Sequence, residues 1–135
     1  MRKPLGFIVA LLVFGLFGLA QAPKKTQREQ KGPCDAAATQ LDLNQCSGEE
    51  FRKADARLNK VYASFLKQME GEKNDTAIQK LKAAERAWLQ YRDLHCDAAR
   101  YEYQGGSMSP MVWAQCMTMT TEHRIEELNA AYNSN

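Results

Sequence analysis

Apolar residues recur at steps of three and four along three long stretches of the chain, the spacing that gathers them on one face of an α-helix. The first stripe runs Leu43, Cys46, Ala54, Leu58, Val61 or Tyr62, Phe65 and Met69, with Glu50 as its polar member. Thr39 and Asp42 form a capping pair ahead of it, and the stripe continues to about Glu70. Ser47-Gly48-Glu49-Glu50 repeats the capping signature inside the stripe. The pattern therefore leaves open a first helix that is kinked or divided at Gly48, with Ser47 as a new N-cap. A polar turn follows, from Gly71 to Asp75.

The second helix is expected from Asp75 or Thr76 to near Tyr103, about 40 Å at ~1.5 Å per residue. Two long helices joined by so short a turn must lie antiparallel. Gly105-Gly106 supplies the positive φ that ends the second helix. Ser109-Pro110 then opens a third, Ser as N-cap and Pro in the first helical position. Cys116, Thr120, Arg124, Leu128 and Tyr132 run down one side of it at four-residue steps. Strand-like alternation and internal repeats are both missing from the sequence. The fold class is all-α, a small antiparallel bundle of three helices.

The N-terminal residues read as something other than fold. Arg2 and Lys3 precede an apolar run from Leu5 to Leu19, and Ala20-Gln21-Ala22 follows. That is the pattern of a secretory signal peptide at residues 1–22, cleaved after Ala20 or after Ala22. Residues 23–33 are rich in Lys, Gln, Pro and Gly without apolar periodicity, a disordered basic leader to a helical domain at 34–135. An exported chain of this kind is periplasmic or secreted, with no stable membrane insertion once the signal is removed.

Export changes the meaning of the cysteines. Cys34, Cys46, Cys96 and Cys116 are an even set in a short exported chain, hence two disulfides. In an up-down-up bundle all four lie at one end, so distance excludes none of the three pairings. Cys34–Cys46 and Cys96–Cys116 are favoured, because each closes a segment whose turn brings its ends together. Each such loop contributes ~3 kcal/mol in the chain-entropy description.

Charge divides by segment. The whole chain carries 18 basic and 16 acidic side chains. From Cys34 onward the balance is 12 basic against 15 acidic, a net of −3, behind a leader holding Lys24, Lys25, Arg28 and Lys31. A mildly acidic domain is a poor nucleic-acid binder and suits a basic partner.

The richest chemistry lies in Trp88-Leu89-Gln90-Tyr91-Arg92-Asp93-Leu94-His95-Cys96. Trp88, Arg92 and Cys96 fall on one helical face at four-residue steps. Asp55, Asn59, Arg92 and Arg124 are polar members of otherwise apolar faces, and an aspartate of the first helix can reach an arginine on an antiparallel neighbour. They are expected to form a structural polar network that fixes helix register. Ser107 after two glycines is turn chemistry rather than a nucleophile elbow. His95, Cys96, Cys116 and His123 lack the close ligand pairs of a zinc site. Met108, Met111, Met117 and Met119 are packing residues rather than a copper site, since Met117 and Met119 point to opposite sides. No catalytic, metal or cofactor site is expected, and the chain reads as a binding protein rather than an enzyme.

Taken together, these residues resemble the family of small secreted bacterial proteins named for the LprI lysozyme inhibitor. The pattern begins with Cys34, Thr39, Asn44 and Cys46, then Ala54-Asp55, Leu58-Asn59 and Tyr62. It continues through Ala87-Trp88, Tyr91-Arg92-Asp93 and Cys96 to Gly105-Gly106-Ser107, Cys116, Thr120, Arg124 and Leu128. The resemblance implies a helical exported domain and, by analogy with the namesake, inhibition of lysozyme by blocking its active-site cleft. The expected partner is then lysozyme or another basic exported protein. A structural or stress-related cell-envelope protein with no enzyme target is the second reading. Acidic residues near loops and helix ends, Glu70, Glu72, Asp75, Asp97 and Glu102, are the candidate contacts.

Overall fold

The computed structural model describes residues 32–132; the signal peptide read at 1–22 and nearly all of the leader read at 23–33 lie outside them. The described chain forms three long helices, α1 (Gln40–Gly71), α2 (Asp75–Ala99) and α3 (Ser109–Tyr132), with a single 3₁₀ turn at Tyr101–Tyr103. Among the described residues there is no strand.

α1 begins where its sequence says. The Thr39 hydroxyl accepts from the Asp42 backbone N–H at 3.1 Å, and the Asp42 carboxylate accepts from the Thr39 N–H at 3.0 Å. That reciprocal pair satisfies two donors with no partner inside the helix. Gly48 does not divide the helix, which runs unbroken for 32 residues. Ser47 is consequently a buried helical residue rather than a cap. One glycine costs a helix only ~1 kcal/mol, and packing of the continuous stripe outweighs it. The α1–α2 turn reverses the chain through Lys73, at φ 55°, with Asn74 capping α2 by accepting from the Ala77 N–H at 3.1 Å.

α2 ends at Ala99, earlier than the pattern suggested, because the chain tightens into the 3₁₀ turn. Tightening of this kind starts the reversal that must return the chain to α3 within a few residues. Gly105, at φ 79°, then provides the left-handed residue that the turn needs. The first intrahelical bond of α3 runs from the Val112 N–H to the Met108 carbonyl. Ser109 and Pro110 are thus its first two helical residues, one position further in than the N-cap reading, and Pro110 still loses no hydrogen bond there.

Side-chain pairs fix the topology. Phe51 meets Trp113, and Phe65 meets Tyr132, so α1 and α3 run parallel. Asp55 meets Arg92, and Glu85 meets Arg124, so α2 runs antiparallel to both. The two ends of the bundle are held differently. Leu58, Phe65, Met69, Ile78, Leu81 and Leu128 pack one apolar core toward the α1–α2 turn. At the other end the disulfides Cys34–Cys46 and Cys96–Cys116 close the structure, with Cα separations of 5.8 and 5.5 Å, and no cysteine is free. Buried Ala54 and Ala114 let the backbones of α1 and α3 approach closely there.

Candidate functional site

Between core and disulfides, α2 carries the series Leu81, Glu85, Trp88, Arg92 and Cys96 into the bundle. All but the half-buried Trp88 are buried. Arg92 is 7 % exposed, a burial that a guanidinium tolerates only with its donors engaged. Its Nη1 donates to Asp55 Oδ1 at 2.9 Å and its Nε to Asp93 Oδ1 at 3.0 Å. Asn59 Nδ2 donates to the other Asp55 oxygen at 3.2 Å, one helical turn along α1. The Arg92 guanidinium also lies over two rings, 5.4 Å from the Phe51 centroid and 5.2 Å from that of Trp88.

Arg124 belongs to a second pair. Its Nε and Nη2 donate to Glu85 Oε2 at 3.1 and 3.0 Å, and its Nη1 donates to Glu127 at 3.1 Å. It too lies over Trp88, 5.7 Å from the ring centroid. The structure thus brings Asp55, Asn59 and Arg92 into one hydrogen-bonded group. It joins Arg124 to them only through the indole that both guanidiniums share. Glu85, Asp93 and Glu127 complete these pairs and were not read from the sequence. For Glu85 the signal was present, since it continues the Leu81–Trp88–Arg92–Cys96 spacing; Asp93 and Glu127 sit on exposed faces and carried none.

A groove of about 330 Å³ between α1 and α2 opens beside this cluster, edged by Asp55, Asn59, Tyr62, Glu85 and Arg86. Burial raises the Tyr62 phenol above its ordinary value, the Glu85 charge adds to the rise, and Arg86 opposes it. The phenol therefore stays protonated at neutral pH and offers a donor. Each buried charge here has a partner of opposite sign, Asp55 and Asp93 for Arg92, Glu85 and Glu127 for Arg124.

The other residues with chemical potential are dispersed. The Ser107 carbonyl accepts from Asn44 Nδ2 at 3.0 Å, tying the α2–α3 connection to α1. His95 is exposed and stacks on Tyr91 at 5.4 Å, and His123 is exposed. Cys96 and Cys116 are bonded to each other, and among the described residues no group of three His, Cys, Asp or Glu side chains could hold a metal. Met117 is buried whereas Met119 is 62 % exposed. The acidic candidates fall at opposite ends of the molecule, with Glu70, Glu72 and Asp75 at the α1–α2 turn and Asp97 and Glu102 beside the Cys96–Cys116 disulfide.

At that disulfide end the connection from Arg100 to Met108 is exposed at every position. It is nevertheless well tied. Gln104 N–H donates to Tyr101, Gly106 N–H to Tyr103 and Ser109 N–H to Gly106, while the Arg100 guanidinium lies 5.8 Å from the Trp113 ring centroid. A pocket of about 400 Å³ sits beside it, lined by Asp97, Arg100, Tyr101, Gln104 and Ser109.

The cysteine spacing, the Trp-Arg face and the helical frame meet in one known sequence pattern. The family described as "Lysozyme inhibitor LprI" matches residues 34–128. The chain belongs to the LprI family. It is similar to the uncharacterized protein R02472 of Rhizobium meliloti (strain 1021), 36% identical over 122 residues, covering 84% of this chain and 87% of that one. It is also similar to the uncharacterized protein YecT of Escherichia coli (strain K12), 31% identical over 103 residues, covering 68% of this chain and 64% of that one. No solved structure matches. The LprI match starts at one half-cystine and takes in the other three, Asp55, Arg92 and Arg124, as well as the exposed Arg100–Met108 connection.

Proposed function

We propose that this chain is an exported binding protein that inhibits lysozyme, with the Arg100–Met108 connection as the element entering the enzyme's cleft. The observation that carries the reading is the combination, in that connection, of exposure at every position with firm anchoring. Its base is fixed by the Cys96–Cys116 disulfide, its turn is hydrogen-bonded, and Tyr101, 71 % exposed, stands at its head. An element ordered before binding loses little conformational freedom on entering a cleft. An inhibitor need only occupy the cleft and mask catalytic carboxylates, so it requires no catalytic group of its own. Membership of the LprI family supports lysozyme as the target class, and a domain balance of −3 suits a basic enzyme. Two disulfides fit a periplasmic or secreted setting, and among the described residues no helix is long and apolar enough to cross a membrane.

Lysis of cell-wall substrate by a basic lysozyme, with and without the purified protein, tests this. Slowed lysis that Tyr101→Ala largely relieves supports the proposal. Unchanged lysis favours a structural or stress-related envelope protein, and lysis without added lysozyme would mark a wall-degrading enzyme.

A further inference from the structure

α2 carries a second apolar stripe that the bundle does not use. Ala84, Ala87, Tyr91, Leu94 and Ala98 follow one another at three- and four-residue steps, and every one is exposed. At about 100° per residue they occupy a band roughly opposite the buried Leu81–Glu85–Arg92–Cys96 face. Tyr91 and Leu94 are 56 % and 62 % exposed, large apolar side chains on a helix face that solvent reaches. A solvent face of a surface helix is ordinarily polar, and among the described residues nothing covers this band.

The charges beside the stripe say what fits it. The exposed cation Arg86 lies in its N-terminal half, and the exposed Asp97 lies at its C-terminal end. We propose that a second copy of this chain docks here, α2 against α2, antiparallel about a two-fold axis near Tyr91. Antiparallel pairing about that point sets Ala84 opposite Ala98 and Ala87 opposite Leu94, small against small and small against large. It brings Arg86 of each copy to Asp97 of the other, two residues on the same flank of the stripe. The surface is self-complementary in shape and in charge, as an isologous interface must be. Asp97 now pairs only with Arg100 on its own chain, at 2.9 Å with both side chains about half exposed, a contact that is readily exchanged. One helix face against another falls at the small end of specific interfaces, so the dimer is reversible.

Sedimentation equilibrium of the full chain, recovered as an exporting host processes it, tests the proposal across a hundredfold concentration range. The expected result is a mass rising from one chain to two. Leu94→Asp should abolish the rise while leaving helicity and thermal midpoint unchanged. Arg86→Asp should weaken dimerisation about tenfold or more, and Arg86→Asp combined with Asp97→Arg should restore it. A single-chain mass at all concentrations overturns the proposal, even if Leu94→Asp then impairs lysozyme binding, which would assign the stripe to a foreign partner. Failure of the double reversal to restore association overturns the antiparallel register. These readouts are masses and do not depend on lysozyme inhibition.

Discussion

Arg92 places its guanidinium carbon 5.2 Å from the Trp88 ring centroid, one turn along the same helix, while its Nη1 reaches across to Asp55 on α1. Trp88 rides on the same helix as Arg92, so a slide of α2 against α1 would leave that contact intact and break the one to Asp55. A register role for the Asp55 contact is therefore a prediction with a measurable cost.

Removing that side chain leaves Asp55 without its cation and opens space beside Trp88. Arg92→Ala should lower stability by about 2 kcal/mol, below the full cost of breaking a buried pair because Asp55 is partly exposed. Arg100→Ala, at a largely exposed arginine, should cost under about 0.5 kcal/mol. Chemical denaturation midpoints measure both, and equal small shifts would remove the register role.

Glu85 offers a sharper case, since its side chain and that of Arg124 are 9 % and 15 % exposed. Glu85→Ala should cost about 2 kcal/mol, because Arg124 then keeps only the exposed Glu127 as its partner. A double-mutant cycle with Arg124 should give a coupling on the order of 1 kcal/mol or more, against near zero for two residues that merely share the neighbourhood of Trp88.

Thr121 is completely buried, and its hydroxyl has no hydrogen-bond partner among the described residues. Thr121→Val keeps the shape and removes a polar group that burial penalises. The thermal midpoint should rise, by an amount corresponding to about 1 kcal/mol. A loss of that size instead would mean that the hydroxyl is bonded in solution.

The capping box predicts a pH effect. Hydrogen bonds from Thr39 hold the Asp42 carboxyl below its ordinary value of 3.8. A folded-state value lower than the unfolded one contributes stability above the unfolded value, and that contribution disappears as pH falls through the folded value. The wild-type chain should accordingly lose part of its stability as pH drops below about 4. Asp42→Asn should flatten that part of the acid limb in denaturation midpoints collected from pH 5 to pH 2.

Why some of this was legible in the sequence and some was not follows from the range of each signal. Helices, their order and the Thr39 cap rest on local spacing, which a sequence displays directly, whereas short loops only favoured Cys34–Cys46 and Cys96–Cys116 among three pairings, and the structure shows that favoured set. The continuity of α1 through Gly48 depends on how its whole stripe packs, and no local rule could decide it. α2 stops short of Tyr103 because the return to α3 forces a tighter turn, again a tertiary demand. In the polar cluster, Asp55, Asn59 and Arg92 come together on facing helices, but Arg124 takes Glu85 as its partner. Choosing between two carboxylates requires the relative height of the helices, which is knowable only once they are packed.

The proposed inhibition makes its own demand on ionic strength. If a basic lysozyme is drawn to the acidic balance of the domain, the attraction acts only within a Debye length, ~8 Å at physiological salt and ~3 Å at 1 M. Raising salt across that range should slow association about tenfold or more and change dissociation little. Within the Arg100–Met108 connection the two effects should separate by residue. Glu102 is an exposed charge, so Glu102→Gln should mainly reduce the association rate. Tyr101 presents a large ring that a cleft would bury, so Tyr101→Ala should mainly speed dissociation. Surface-capture kinetics at several salt concentrations read both constants. Binding with no salt dependence would detach the acidic balance from recognition. Equal effects of both substitutions on dissociation alone would make Glu102 a residue inside the cleft rather than at its rim.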